Sequence, residues 1–180
     1  MIKFIEFNSI KISEKLLKRY ADEMPSYDVT RYAVKFILSN IVPILISVII
    51  GYILGIGSEV LIFIAGFVSL RMVSGGFHFK SAELCFIIST AMCLCAPYVA
   101  MQLSNTIYYN LISVLLALIF APSNIEKQTR VGKNKHIYFK WASLIVIVIA
   151  VLINNPVLNV AMLLQSIMLI RLNLKGGEKR

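Results

Sequence analysis

Two side chains able to do covalent chemistry stand close together in the stretch RMVSGGFHFKSAELC, Arg71 to Cys85. His78 and Cys85 are seven residues apart. On a helix that is close to two full turns, which points both side chains the same way. A cysteine is a useful nucleophile only as thiolate, and a nearby histidine can take its proton. The Gly75-Gly76 pair would end one helix and let the backbone turn tightly into the next. A helix starting at residue 78 would place its N-terminal N–H groups and dipole within about two turns of Cys85, where they stabilise negative charge. Spacing alone leaves a plainer alternative open, a packing cysteine and a polar histidine near lipid headgroups. The flanking Arg71 and Lys80, and the Gly-rich turn ahead of an apolar helix, favour the pair.

The elements that must position these residues lie in a very apolar chain. It has 180 residues, 58% of them hydrophobic and 15% charged, with mean hydropathy +0.80. No soluble domain of this size hides that much apolar surface, so the fold class expected is an all-α, polytopic integral membrane protein. The formal charge of +9 speaks to orientation in the membrane before nucleic acid, which is not an expected partner. Three cysteines in or beside apolar runs offer no disulfide framework. The opening MIKFIEFNSIKISEK carries acids and scattered charges, unlike a cleavable signal peptide.

Residues 1–24 read as an interfacial amphipathic helix ended by Pro25, with Ile2, Ile5, Ile12, Leu16 and Tyr20 on one face and Lys11, Lys15 and Lys18 on another. The alternative is the same helix packed on the protein itself. A polar link, SYDVTRY, leads into a single membrane domain of six apolar stretches. They run from about Ala33 to Leu54, Val60 to Leu70, Ser81 to Ala100, Thr106 to Ala121, Trp141 to Ile153, and Val157 to Ile170. The first is long enough to cross a bilayer core of ~30 Å, and Pro43 would kink it without breaking it. The second is short for a span, and a re-entrant segment is its alternative. Asn154-Asn155-Pro156 reads as a tight turn.

Every Lys and Arg falls on one side of this pattern. They lie before the first stretch or, as Lys35, in its first turn, at Arg71 and Lys80, in the loop with Lys127, Arg130, Lys133, Lys135 and Lys140, and in the tail from Arg171. The connections around Gly57, Asn105 and Asn155 contain none. Because positive residues collect on the cytoplasmic side, six spans with both termini inside are expected, with the active site near the inner face.

The run R-x-x-S-G-G-x-H-x-x-S-x-x-x-C strongly resembles the catalytic motif of the accessory gene regulator protein B family. The size, amphipathic start, multiple helices, Ala121-Pro122 step before a lysine-bearing loop and late MLIRL run are also similar. The resemblance covers nearly the whole chain. It implies a bacterial membrane cysteine endopeptidase that processes the precursor of a cyclic peptide pheromone for quorum sensing. His78 and Cys85 would be the catalytic pair, working without a cofactor or metal. Cys85 would form a thioester, which a Cys or Ser of the bound peptide would attack to close a thiolactone or lactone ring. Arg71, Ser74, Gly75, Gly76, Lys80, Ser81, Lys127 and Arg130 are the candidates for binding substrate or supporting the pair. The implied partner is a precursor peptide like accessory gene regulator D, with an acidic tail that the basic inner face would attract. Membrane lipids and a second copy of the chain, as a homodimer, are further candidate partners.

No third catalytic group stands out. Glu83 is five residues from His78 and on another helix face, and Gln102, Asn105 and Asn124 depend on the fold. Cys93 and Cys95 sit among Leu, Ala and Met and read as packing. A metal site from His78, Cys85 and Cys93 falls short of the usual ligand number. His136 in the basic loop reads as solvated. The rival function, a small transporter or channel subunit, wants ionisable residues inside the spans, and the spans are nearly free of them.

Overall fold

The computed structural model describes residues 4–21, 23–76, 81–103, 107–123 and 136–170. Regular structure among the described residues is helical, save one isolated bridge between Gly75 and Ser123. Seven helices are described: α1 (Phe4–Arg19), α2 (Tyr27–Ile53), α3 (Gly57–Ser74), α4 (Ala82–Met101), α5 (Ile107–Phe120), α6 (His136–Ile153) and α7 (Pro156–Ile167). The protein is an all-α membrane protein, as its hydropathy requires. Helices α2, α3, α4 and α6 are long and apolar enough to cross a bilayer, and α5 and α7 are shorter.

Several boundaries differ from the sequence reading. The SYDVTRY segment is no link; it forms the first turns of α2, with Ser26 at the N-cap and Asp28 in the first turn. Hydropathy misses these turns because they are amphipathic rather than uniformly apolar. The second stretch is not short, since α3 has 18 residues. Its polar first turn and its last turn with Arg71 lie outside the apolar run. The short helices are instead α5 and α7, with 14 and 12 residues. Helix α1 stops at Arg19, ahead of Pro25. Helix α6 begins at His136 rather than Trp141, so this half-buried histidine opens a helix instead of standing in a solvated loop.

The chain divides into two compact units, residues 1–60 with 78–95 and residues 61–77 with 96–180. In the first unit α1 packs along α2. The packed face of α1 is Ile5, Ser9 and Ser13, four residues apart and all buried. Small side chains let helix backbones approach closely. Both hydroxyls stay satisfied, Ser9 Oγ donating to the Glu6 carbonyl at 2.8 Å and Ser13 Oγ to that of Ser9 at 2.6 Å. Helix α1 thus packs on α2 through this face, while Phe4 and Phe7 stay exposed, with Lys11, Lys15 and Lys18 exposed further along. Glu6 locks the pair. Its carboxylate accepts from Lys35 Nζ at 2.8 Å and from Arg31, which lie one turn apart on α2.

Pro43 does not break α2, but its effect is visible one turn earlier. Residues 37–41 form a π turn, closed by the Val42 N–H donating to the Ile37 carbonyl. Proline lacks an N–H and crowds the carbonyl four residues before it, here that of Ser39. A π turn adds one residue to the helical repeat. The buried positions of α2 are Thr30, Val34, Ser39, Pro43, Ser47 and Gly51. Their single five-residue step falls inside the π turn, which keeps the buried stripe on one face.

In the second unit α5 packs against α6 and α7. Its core holds Phe63, Leu70, Ala117, Ile147, Ala161, Met162 and Leu169. Gly66 of α3 lies so close to α7 that a Cβ there would meet Leu158 Cδ1 at 2.4 Å. The α6–α7 turn follows its sequence signature: Asn155 caps α7 by accepting from the Val157 and Leu158 amides at 2.9 and 3.2 Å, and Pro156 opens it.

Candidate functional site

Helix α3 ends where the double glycine predicts. The Gly75 N–H still bonds the Arg71 carbonyl at 2.9 Å, but Gly75 and Gly76 stand at φ 73° and 131°, where side chains are disfavoured. Gly76 is also enclosed: a Cβ there would lie 3.2 Å from Gln165 Nε2 and 3.3 Å from the Met168 carbonyl oxygen. The turn is stitched to the segment after α5. The Gly76 N–H donates to the Ser123 carbonyl, and the Ser123 N–H to that of Ser74, each at 2.9 Å. Ser123 follows the Ala121-Pro122 step, whose peptide bond is cis.

Gln165 of α7 closes this arrangement. It is fully buried. Its Nε2 donates to the Gly75 carbonyl at 2.7 Å and to Ser74 Oγ at 3.3 Å. Its Oε1 accepts from Arg71 Nη1 at 3.3 Å. The Arg71 guanidinium also lies over the Phe67 ring, 5.8 Å from its centroid. Four of the residues singled out in the sequence, Arg71, Ser74, Gly75 and Gly76, are therefore gathered around one amide. Both glycine N–H groups are engaged in the fold, so neither is a ready donor to a reacting carbonyl.

Cys85 stands in the other unit, near the start of α4. Ser81 caps that helix: its hydroxyl accepts from the Leu84 N–H at 3.4 Å and donates to Glu83 Oε2 at 2.8 Å. The Cys85 N–H bonds the Ser81 carbonyl at 3.1 Å, which places the cysteine one turn from the cap. The positive end of the helix dipole acts within that first turn and favours negative charge. Cys85 is a free, half-buried thiol. Beside it on the chain, the Glu83 carboxylate faces the Ile5 and Glu6 amides at the start of α1. This contact is electrostatic, because no donor closes a hydrogen bond to the buried Oε1. Glu83 thereby ties the start of α4 to the start of α1.

Helix α4 begins at Ala82, later than the sequence reading placed it, so the two-turn argument for His78 and Cys85 does not carry over to this helix. His78, Lys80, Lys127 and Arg130 lie outside the described residues, as do Asn105 and Asn124. Gln102 follows α4 and is exposed. Cys93 is buried beside Ser47 of α2, in keeping with packing, whereas Cys95 is exposed. Among the described residues no group of three His, Cys, Asp or Glu side chains is placed to hold a metal ion.

Sequence reasoning missed Gln165 and Ser123. The available signal was an uncharged amide in the middle of the apolar AMLLQSIML, since a polar side chain inside a membrane helix needs a partner. Composition could not say which partner.

No curated protein and no solved structure matches this chain. The family model for accessory gene regulator B matches residues 9–172, which takes in the Gly-Gly turn, the capped cysteine helix and Gln165. With nearly its whole length matched, the chain belongs to the accessory gene regulator B family, membrane proteins of quorum-sensing peptide processing.

Proposed function

We propose that the protein is a membrane cysteine endopeptidase that cleaves a pheromone precursor peptide through an acyl-enzyme on Cys85. The supporting observation is the position of Cys85, a free thiol one turn into a Ser81-capped helix within the family's motif. His78 takes the thiol proton as Cys85 attacks the scissile carbonyl, and returns it to the leaving amine as the C–N bond breaks. The product is a thioester on Cys85 and a released C-terminal fragment. A Cys or Ser side chain of the retained peptide then attacks the thioester, closing a thiolactone or lactone and freeing the Cys85 thiol. Exclusion of water at the membrane edge protects the thioester until the ring closes. The precursor carries an acidic tail, held by the basic residues of the inner face, Lys127 and Arg130 among them.

The test is cleavage of a precursor peptide by the full chain in lipid. Cys85→Ala abolishes it, a loss of at least about a hundredfold for removal of a nucleophile. Cys93→Ala and Cys95→Ala retain most activity. Wild-type cleavage by the Cys85 variant would sink the assignment.

A further inference from the structure

The side of α1 turned away from α2 carries two kinds of residue in a fixed order. Helix α1 packs through Ile5, Ser9 and Ser13. Phe4, Phe7, Lys11, Lys15 and Lys18 follow one another at three- and four-residue steps, so they form one stripe on the opposite side. All five are exposed. The phenylalanines hold the first half of the helix and the lysines the second. Sequence periodicity set the isoleucines toward lipid, but Ile5 is spent on α2 and the phenylalanine–lysine stripe is what faces outward.

The basic residues of this hairpin divide by role. Arg31 and Lys35 are engaged by Glu6. The Arg19 guanidinium lies over the Tyr20 ring, 5.7 Å from its centroid. Lys11, Lys15 and Lys18 form no ion pair among the described residues. Glu14, exposed at the edge of the stripe, leaves it with a net positive charge. Depth follows from the pairing. Glu6, in the first turn of α1, meets residues of the second and third turns of α2, whereas the far end of α1 joins the start of α2 through residues 20–26. Helix α1 therefore runs back along α2, which is long and apolar enough to cross a bilayer. Its phenylalanine end points toward the apolar part of that span and its lysine end away from it. Tyr27 and Tyr32, exposed on the first two turns of α2, are of the type that settles at the membrane–water boundary.

We propose that the outward stripe of α1 is a binding face for anionic phospholipid, with Phe4 and Phe7 against acyl chains and Lys11, Lys15 and Lys18 at the headgroups. A phospholipid presents apolar and anionic parts in the same order along the bilayer normal as the stripe presents its complements. Lysines attract a headgroup with net negative charge and gain little from a zwitterionic one. The proposal is independent of the reading of Cys85.

The experiment uses the full chain with its three cysteines replaced by alanine. Asn8→Cys, half-buried beside the stripe, carries a nitrobenzoxadiazole fluorophore. The protein is placed in phosphatidylcholine nanodiscs holding a small, equal fraction of acyl-chain nitroxide lipid, either phosphatidylglycerol or phosphatidylcholine. Quenching reports which lipid gathers at α1. Each lysine near the surface is worth about fivefold in attraction to anionic lipid, so with Glu14 opposing them the three enrich phosphatidylglycerol on the order of tenfold. Lys11→Gln, Lys15→Gln and Lys18→Gln together are expected to make the two lipids quench equally, whereas the three changes to Arg keep the preference. Phe4→Ser with Phe7→Ser lowers quenching by both lipids. A label at Leu115→Cys, exposed on the uncharged helix α5, shows no preference. Should the glutamine variant fail to fold, the parent protein still decides the matter, because about 1 M salt shortens screening to about 3 Å and should abolish the preference.

Equal quenching by the two lipids in the parent protein would overturn the proposal. So would a preference that survives both neutralisation of the lysines and high salt. If neither lipid reaches the label, something else covers the stripe and the proposal also fails. Self-quenching between labelled copies would then identify a second chain, and protection by added polyglutamate an acidic peptide.

Discussion

Gly76 carries two constraints at once. Its φ of 131° disfavours any side chain, and the space where a Cβ would sit is lined by Gln165 Nε2 and the Met168 carbonyl. Backbone held in such a region by a residue other than glycine costs on the order of 1–3 kcal/mol. Gly76→Ala is accordingly expected to lower stability by about that much. A thermal melt of the purified protein in detergent checks this; an unchanged melting temperature would show that the turn relaxes freely. The sequence exposed this residue plainly, since a double glycine before a polar break has few other uses. It exposed Cys85 as well. It did not expose Gln165, because a lone amide in an apolar helix announces a need for a partner without naming one.

Among the helices, α1 shows how charge can dock an amphipathic element. The Lys35 hydrogen bond, followed by that of Arg31, holds the Glu6 carboxyl below its ordinary value of 4.5 against the opposing effect of burial. A lowered carboxyl contributes its stability above the ordinary value and loses it as pH falls through the lowered one. The groups are partly exposed, so the contribution is below about 1 kcal/mol. Spin labels at Lys11 and Tyr32, both exposed, are expected to report a narrow distance at neutral pH that broadens below about pH 4.5. Glu6→Gln should be broad already at neutral pH. A neutral-pH distribution identical to wild type would show that the serine face alone docks α1. Periodicity identified α1 and its polar and apolar sides, but not which side meets protein. The serines at positions 9 and 13 look like weak polar interruptions until α2 lies beside them.

At the scale of the whole molecule the predictions concern orientation and partner. Segregation of every Lys and Arg to alternate connections predicts six spans with both termini cytoplasmic. Single cysteines introduced near Gly132 in a cysteine-free background should resist labelling by a membrane-impermeant reagent from outside intact cells. Ready labelling there would refute this orientation. If Lys127 and Arg130 hold an acidic peptide tail, reversing both to Glu should weaken processing, and converting the tail's acids to Lys should restore part of it. Unchanged processing by a correctly inserted variant would reduce these residues to topology signals, attracting anionic lipid at about 1 kcal/mol each.

What the sequence determined by itself was set by composition and by local chemistry. An apolar content of 58% forces burial in lipid, helices follow because every backbone group must bond within its own segment, and residues 9–172 carry the family. These properties belong to short stretches and survive whatever surrounds them. Tertiary structure decided the rest. It decided that α2 begins six residues earlier than hydropathy shows and keeps its buried face through a π turn. It decided that the cysteine helix starts at Ala82, capped by Ser81. It brought Gln165 to Ser74 across 91 positions of sequence, and Ser123 to the same turn. Hydrogen bonds between distant segments depend on how helices pack, and in lipid that packing rests on close fit and polar pairing rather than on hydrophobicity, which is what sequence patterns record.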